Sequence, residues 1–569
     1  MPFKIFHIIR LTLHIVFYLC VPLCLFAQEV VHTQTEAEAL NEQLRELEGI
    51  RLDINRASTQ QLLTLPYLSP ELCNNIISNR PYRHIKDLKR VKGITNNLYD
   101  LITPYLSATS THPWQSAITL RITRPANHSN DLQNLRIYQR LQISARNISG
   151  FFLTERDPKE PHLTDHLTGY LKIPIQNATL TLGDIRPHWG QGLIFSRRTR
   201  PTTGLSGARP YTTTRSGNRT STEHGALRGI HLRRSHHYFT FTGLWGHTSW
   251  DAKLTPENPP RIYTTGLHHT QSAQQRKRTL SERLIATHLQ LGTKQKHLGI
   301  SVANTTFTPQ TPAKHKPWLW SINGQWRTEQ ASFFGEITPK AYLGGLTAGT
   351  SKLRLHILTR RYNTHFYSLH GAPFATYGTP ANNEWGTFFG LTWRWTSRTR
   401  LELSLDRYGR LTGTLPPRGE KLRLNLHHRL ATRLYTRLTA DSKRTTGQPN
   451  RRSLRFSTSY RHAIYRLILW AQHTRSVSSG KAIGFRLTLG NTKGFSTAIW
   501  VTHHKVSNNA ARIYDFEPDV WGGTRLLTLS KQGTNRGVRI SWATRYFRIA
   551  TRYSQHRASS WALQIDLRR

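Results

Sequence analysis

The sequence is poor in sulfur-containing and acidic residues. It holds 3 cysteines and 1 methionine in 569 residues. Cys20 and Cys24 lie in the first 27 residues, so Cys73 is the single cysteine after them and an internal disulfide in that part of the chain is excluded. Asp and Glu number 31 against 79 Lys and Arg, a formal net charge of +48. A surplus of this size attracts polyanions such as nucleic acid, anionic polysaccharide and lipid phosphates.

Long apolar runs are also missing, except at the start of the chain. Lys4 and Arg10 precede the apolar run Leu11–Phe26, and Ala27 closes it. This pattern is typical of a secretory signal cleaved after residue 27; an uncleaved membrane anchor is the alternative. No later stretch has the ~20 apolar residues that a spanning helix needs. A mature chain that crosses a membrane must therefore do so as a closed barrel.

The positive charge is unevenly distributed. Residues 28–106 carry a net charge of −1, whereas the residues after 106 carry +47. The pattern of apolar residues changes at the same point. Residues 28–51 predict an amphipathic helix or linker with Leu40, Leu44 and Leu47 on one face, and residues 52–106 predict a small all-α domain of short helices.

Residues 52–106 contain two turns between short helices, "LPYLSP" and "VKGIT", preceded by "LDINRAS" and closed by "PYL". The segment resembles the double helix-hairpin-helix domain of ComEA-like competence DNA receptors. In that family, glycines in each hairpin let backbone N–H groups approach a DNA phosphate. Here Tyr67, Ser69 and Thr95 stand in three of these glycine positions and only Gly93 remains. The resemblance implies a set of DNA-phosphate contacts: Lys92, Gly93, Thr95, Lys89, Arg90 and Ser69. The alternative is a degenerate hairpin domain that docks a protein or plugs the barrel.

Residues 107–569 change to a period of two. The segments "AITLRITR" (117–124), "LRLHILTRRY" (353–362) and "GFRLTLG" (484–490) alternate apolar and polar residues. The pattern predicts roughly 20 to 26 antiparallel strands. A soluble sandwich or propeller is one alternative. The signal and the long uninterrupted alternation favour a large transmembrane β-barrel with apolar residues toward lipid.

Three features of this barrel follow from the pattern. Tryptophans near strand ends predict an interfacial girdle: Trp245, Trp250, Trp318, Trp320, Trp393, Trp395, Trp500 and Trp542. The polar stretches Thr199–Glu223 and Thr255–Ser281 predict surface loops. Arg and Lys within strands are expected to face the lumen, because they cost a few kcal/mol on the lipid side at mid-bilayer. The lumen is therefore expected to prefer anions.

One pair of motifs stands out in the barrel, "LGDIRPHWGQGLIFS" (182–196) and "STEHGALRGIHL" (221–232). They resemble motifs of Bacteroidota outer-membrane barrel proteins that carry an N-terminal helix-hairpin-helix domain. The matching residues are Gly183, Asp184, Gly190, Gln191, Gly192, Arg228 and Gly229. We expect these glycines to serve turns and close backbone approach rather than chemistry.

The sequence predicts no enzyme, no cofactor and no metal site. The 29 histidines are scattered, and none has a cysteine or carboxylate partner at ligand spacing. No nucleophile elbow, zinc-protease or phosphate-loop motif is present.

Two functions remain open at this point. The first is an outer-membrane barrel of a Gram-negative bacterium that binds or transports a polyanion such as DNA or anionic polysaccharide, with the helical domain in the periplasm. The second is a structural or assembly barrel, in contact with outer-membrane lipid, whose helical domain docks a periplasmic protein. The lost glycines favour the second, and the positive charge of the barrel favours the first.

Overall fold

The signal and the linker predicted for residues 1–51 lie outside the residues that the structure describes. The computed structural model describes residues 52–568 with gaps at 56, 58–61, 63–64, 66–67, 69, 95–97, 100–101, 104–105, 109–113, 127–130, 146–147, 161–163, 211–212, 214, 256–259, 265, 267, 269, 294, 311–317, 379–380, 414–416, 491–493 and 545. Within these residues, no helix is both long enough and apolar enough to cross a membrane.

Strands dominate the chain. In chain order they are β1 Leu52–Asp53, β2 Leu106–Ser107, β3 Trp114–Arg124, β4 Arg136–Ala145, β5 Ile148–Arg156, β6 His166–Ile175, β7 Ala178–Ile185, β8 Leu227–His236, β9 Phe239–Lys253, β10 Arg261–Tyr263, β11 Leu280–Gly292, β12 Lys296–Thr308, β13 Trp318–Arg327, β14 Ala331–Thr338, β15 Ala341–Gly349, β16 Leu353–Tyr362, β17 Glu384–Trp393, β18 Thr399–Gly409, β19 Arg418–Arg429, β20 Leu434–Thr445, β21 Gln448–Arg461, β22 Tyr465–Arg475, β23 Ser479–Gly490, β24 Gly494–Val506, β25 Ile513–Pro518, β26 Thr524–Leu529, β27 Gly533–Ala543, β28 Phe547–Gln555 and β29 Ser559–Arg568.

A closed antiparallel barrel of 24 strands contains β3–β9, β11–β24 and β27–β29. The last strand closes it on the first, with Trp561 opposite Arg124 and Arg568 opposite Ala117. Closure leaves no unpaired edge, which a lipid-facing sheet requires. The predicted large antiparallel barrel is confirmed, and its strand number falls within the predicted range. The short β10 extends β9 beyond the barrel, and β25 and β26 form a separate hairpin.

The outer wall is apolar and the inner wall is polar. On β16, Leu353 and Leu355 are exposed, whereas the alternate residues His356 and Arg360 are buried inside the barrel. Six of the eight predicted girdle tryptophans are exposed on the outer wall. The prediction is wrong for Trp250 and Trp500, which are 2% exposed. Trp250 lies five residues after Trp245, and because side chains alternate faces along a strand, this odd spacing places it on the opposite face from Trp245.

The two ends of the barrel differ in their connections. At one end, no turn is longer than the one between β17 and β18, residues 394–398; we call this the short-turn end. At the other end, long segments join β7 to β8 (186–226), β9 to β11 (254–279), β16 to β17 (363–383) and β24 to β27 (507–532). Outer-membrane barrels show this asymmetry, with short turns in the periplasm and long loops outside. The long segments are not simple surface loops, because much of 186–226 is buried against the inner wall.

The N-terminal domain has a small core of its own. Its first and last strands pair in parallel, Leu52 with Leu106, which holds the ends of the domain together. A helix at Pro70–Ser78 and a short 3-10 helix at Ile85–Arg90 lie between them. Tyr82 links two parts of the domain by hydrogen bonds. Its amide donates to Asn55 Oδ1 (2.8 Å), and its hydroxyl donates to the Ile76 carbonyl (2.7 Å). The fully buried core residues include Ile54, Leu62, Cys73, Ile76 and Leu88.

Candidate functional site

The exposed basic surface of the N-terminal domain lies on the second hairpin. Leu88, Val91 and Ile94 point into the core, which turns the charged residues between them outward. Five basic side chains are exposed between residues 83 and 93; we call this surface the basic face. Its members are Arg83, Lys86, Lys89, Arg90 and Lys92. The domain as a whole is nearly neutral, but this surface carries a concentration of positive charge.

A single acidic residue, Asp87, lies among these bases. Its carboxylate accepts the backbone N–H of His84 (2.8 Å) in a capping box at the start of the 3-10 helix. This hydrogen bond lowers the pKa of the Asp87 carboxyl, so the ionised carboxylate caps the start of the 3-10 helix. Lys86 and Lys89 lie three residues apart on the 3-10 helix, a spacing that aligns their side chains. The Lys89 ammonium lies 4.8 Å from the centre of the Tyr99 ring, which positions it by a cation–π contact.

The turn of this hairpin requires its glycine. Gly93 has φ +93°, a conformation that other residues adopt only with strain. A Cβ atom there would lie 2.6 Å from Leu72 Cδ2. The neighbouring Lys92 carbonyl accepts from Asn75 Nδ2 (3.0 Å), which fixes the turn on the helix Pro70–Ser78. Gly93 is exposed, so a ligand can reach its backbone.

The predicted phosphate-contact set is thus partly assembled. Lys89, Arg90, Lys92 and Gly93 meet on one exposed surface, whereas Ser69 and Thr95 fall outside the described residues. Arg83 and Lys86 belong to the same surface but were not predicted from the sequence. The spacing of three residues between 86, 89 and 92 could have indicated that Lys86 lies on this surface.

The second group of candidate residues builds the barrel. The motifs at 182–196 and 221–232 contribute to the paired strands β7 and β8, in which Gly183 lies opposite Gly229 and Asp184 lies opposite Arg228. Arg228 donates to both Asp184 oxygens (2.9 and 3.0 Å), and Asp184 also accepts the Gly169 amide (2.7 Å). A Cβ on Gly229 would lie 2.0 Å from the Trp245 carbonyl oxygen. These residues therefore make close strand contacts and one ion pair.

The "GQGL" stretch folds inside the barrel around a buried carboxylate. Gly190 and Gly192 both have positive φ, +58° and +85°. Their turn directs the amides of Gln191 and Leu193 at Glu336 Oε2 on β14, at 2.7 and 3.0 Å. Backbone N–H groups converging in this way bind anions, and here the anion is an internal glutamate.

A second inserted segment, 363–383, packs against the first. Ser196 N donates to the His370 carbonyl (2.7 Å), and Ser368 Oγ donates to the Ile194 carbonyl (2.9 Å). The inner wall holds this segment through Tyr362, whose hydroxyl donates to the Phe374 carbonyl (2.7 Å). The two inserted segments thus form one connected layer inside the barrel.

The β25–β26 hairpin is a third inserted segment. All six residues of β25 are buried. Glu517 lies 2.7 Å from Arg525 and 3.7 Å from Arg552, and Asp515 accepts from Thr502 (2.8 Å) on β24. The hairpin therefore brings carboxylates to the basic inner wall and offsets part of its charge.

The chain leaves the N-terminal domain at Ser107 and enters the barrel at the short-turn end, where β3 begins with Trp114 opposite Ala145. Burial raises the pKa of the Cys73 thiol to about 12, and the nearby positive charge of Arg327 acts in the opposite direction. Arg327 is the last residue of β13 at that end. That the N-terminal domain plugs the barrel stays a prediction, because the contacts with the inner wall described above are made by segments that connect the barrel's own strands.

One cluster was not foreseen from the sequence. Glu160, Asp165, Glu223 and His268 bring one potential ligand atom each within 4.8 Å of one another; we call them the acidic cluster. They belong to three different connections, β5–β6, β7–β8 and β9–β11. Sequence spacing gave no sign of this cluster, because residues far apart in sequence converge only when the barrel closes.

Residues 48–107 match the family model described as "Helix-hairpin-helix motif". No curated protein matches the chain. Among solved structures, the P pilus usher (PapC) translocation pore is 10% identical, with TM-score 0.36, over 80% of this chain and 99% of that one. The siderophore receptor PirA from Acinetobacter baumannii is 6% identical, with TM-score 0.41, over 82% of each chain. OccK7 (OpdD) from Pseudomonas aeruginosa is 11% identical, with TM-score 0.31, over 80% and 98%.

Proposed function

We propose that this protein is an outer-membrane barrel that binds a polyanion, and that the basic face of its N-terminal domain grips the phosphate backbone of DNA. The exposed cluster of five basic side chains around the Gly93 turn carries the proposal. Phosphate contacts of this kind need exposed Lys or Arg side chains and close approach to backbone N–H groups. Both are present at residues 83–93.

The closed barrel with an apolar outer wall supports a position in the outer membrane. The chain connects the N-terminal domain to the short-turn end, and the periplasmic short turns of such barrels support a periplasmic position for the domain. A polyanion bound there would meet the barrel mouth where Arg327 lies. The three inserted segments favour a gated barrel over an open pore, since wide barrels of 22 strands are also plugged.

A second candidate is an assembly barrel whose N-terminal domain docks a periplasmic protein. The inserted segments favour it, because they pack tightly on the inner wall and would have to move before a polymer could pass. DNA binding by the basic face separates the two candidates.

The test is fluorescence anisotropy of labelled duplex DNA with the full chain in detergent, over a series of salt concentrations. The variant Lys86→Gln/Lys89→Gln/Lys92→Gln removes three charges from the basic face. We expect weaker binding and a log K against log salt slope that is shallower by about 2 to 3, because each phosphate contact contributes roughly 0.9.

The matched control is Lys352→Gln/Arg398→Gln/Arg433→Gln. It removes the same charge from exposed residues in turns at the same end of the barrel. If both triple variants lose affinity equally, the basic face is not a specific site and the DNA proposal fails. If the wild-type chain does not bind DNA at physiological salt, the docking candidate takes its place.

A further inference from the structure

We propose that the acidic cluster binds a divalent transition metal ion and thereby ties the first inserted segment to the rim of the barrel. This inference does not rest on the DNA proposal. It rests on the geometry of Glu160, Asp165, Glu223 and His268 at the long-loop end.

The cluster contains buried polar atoms without partners. Glu160, Asp165 and His268 are only 4%, 7% and 4% exposed. Glu160 Oε1, Asp165 Oδ2 and His268 Nδ1 have no hydrogen-bond partner in the described part of the chain. Leaving buried polar atoms unsatisfied is costly, and such groups are rare in folded proteins. A single cation between them would satisfy all three.

Each of these side chains is held by its other polar atom. Glu160 Oε2 accepts the Asp157 amide (2.9 Å), and Asp165 Oδ1 accepts from Lys277 Nζ (2.5 Å). His268 Nε2 lies 2.6 Å from Asp251 Oδ2. A carboxylate on the far nitrogen is the usual partner of a metal-binding histidine, because it fixes the tautomer and the ring orientation.

The tautomer decides the electrostatics. If Nε2 donates its proton to Asp251, then neutral His268 presents the lone pair of Nδ1 to the cluster. The Nδ1 atom lies 3.7 Å from oxygens of Glu160, Asp165 and Glu223. Four electron-rich atoms then face one another.

The spacing suits a transition metal. Ligand atoms at about 2.1 Å from a tetrahedral Zn²⁺ lie roughly 3.4 Å apart. His268 Nδ1 lies 3.7 Å from each carboxylate, and all four atoms lie within 4.8 Å of one another, so binding requires the side chains to draw together around the ion. One imidazole and three carboxylates form a mixed nitrogen and oxygen set, which suits Zn²⁺ or Mn²⁺ better than Ca²⁺, an ion that takes six to eight oxygens.

Binding would have a structural consequence. Glu223 belongs to the inserted segment 186–226, Glu160 and Asp165 to the β5–β6 connection, and His268 to the β9–β11 connection. One metal ion would cross-link all three. It would hold the inserted segment in place from the long-loop end, while Glu336 holds it from inside the barrel.

The experiment uses the full chain in detergent, treated with a chelator and then dialysed against Zn²⁺ or Mn²⁺. Bound metal is measured by elemental analysis, and the melting temperature is measured with and without metal. We expect one equivalent of metal and a higher melting temperature in the wild type. Glu160→Gln/Glu223→Gln should lose the metal and the shift.

Two further variants make the test specific. Glu282→Gln changes another buried glutamate beside a histidine, His370 at 3.1 Å, outside the acidic cluster; it should keep the metal. Lys277→Gln removes the positive charge beside Asp165 but keeps an N–H donor for Oδ1, so it should tighten metal binding about tenfold.

Absence of stoichiometric metal in the wild type would overturn the proposal, as would equal metal content in Glu160→Gln/Glu223→Gln. If that double variant does not fold, Lys277→Gln decides: an unchanged dissociation constant overturns the proposal, and a lower one supports it.

Discussion

Replacement of Glu336 by alanine should release the first inserted segment from the inner wall. Glu336 is 3% exposed and accepts three hydrogen bonds, from the amides of Gln191 (2.7 Å) and Leu193 (3.0 Å) and from the hydroxyl of Ser321 (2.7 Å). The two amides belong to the inserted segment, whereas Ser321 belongs to β13 of the wall. The variant therefore removes both bonds by which this carboxylate fastens the segment.

The magnitude follows from those two bonds. A hydrogen bond to a charged group contributes about 1.5–3 kcal/mol. Two of them give about 3 kcal/mol at the low end, and the amides of the 190–193 turn would be left buried without an acceptor. Because 1.4 kcal/mol is about a tenfold change in an equilibrium constant, the population with the segment displaced should rise by about 150-fold.

The assay is the conductance of single barrels in a planar lipid bilayer. We expect Glu336→Ala to spend far more time in high-conductance states than the wild type. Glu336→Gln should be intermediate, since one carbonyl oxygen can still accept both amides, which converge on Oε2, but it carries no charge. Ser321→Ala is the matched control, because it removes the third hydrogen bond without touching the segment. Equal conductance in Glu336→Ala and Ser321→Ala would refute the reasoning.

Three other changes have defined outcomes. Gly93→Ala should destabilise the hairpin by about 2 kcal/mol, because φ is positive and Leu72 blocks the Cβ; alkylation of buried Cys73 should then become about 30-fold faster, and an unchanged rate would contradict this. Asp184→Ala should lower the free energy of unfolding in urea by about 2 kcal/mol, whereas Arg228→Met should lower it by at most about 1 kcal/mol. The two differ because only Asp184→Ala also leaves the Gly169 amide without its acceptor. Equal losses in the two variants would contradict this prediction. Glu517→Gln should shift the reversal potential in a salt gradient toward chloride, because Arg525 and Arg552 lose a carboxylate; an unshifted potential would argue that the hairpin does not neutralise the wall.

Local alternation was enough to predict the barrel. The segment "LRLHILTRRY" was expected to be a strand over 353–362, and β16 spans Leu353–Tyr362. Its apolar residues Leu353 and Leu355 face outward as the alternation requires. The pattern is informative because a strand with one lipid-facing side must repeat every two residues.

The inner layer could not be predicted in this way. The segment 199–223 is polar and rich in turn-forming residues, so it was expected on the surface. In the structure, Thr202, Ser216, Asn218 and Thr220 from this stretch are buried. The inner wall of the barrel is itself polar, and polar segments bury well against a polar wall when their hydrogen bonds are satisfied. Composition alone therefore does not separate an inserted segment from a surface loop.

The sequence by itself determined the features that depend on neighbours along the chain: the strand alternation and the spacing of three residues between the lysines at 86, 89 and 92. Closure of the barrel decided the rest. It set Asp184 opposite Arg228, wrapped the Gly190–Gly192 turn around Glu336, and gathered Glu160, Asp165, Glu223 and His268 from three connections. The physical reason is that these contacts join residues far apart in sequence, and their distances are set by strand register and barrel closure rather than by any local pattern.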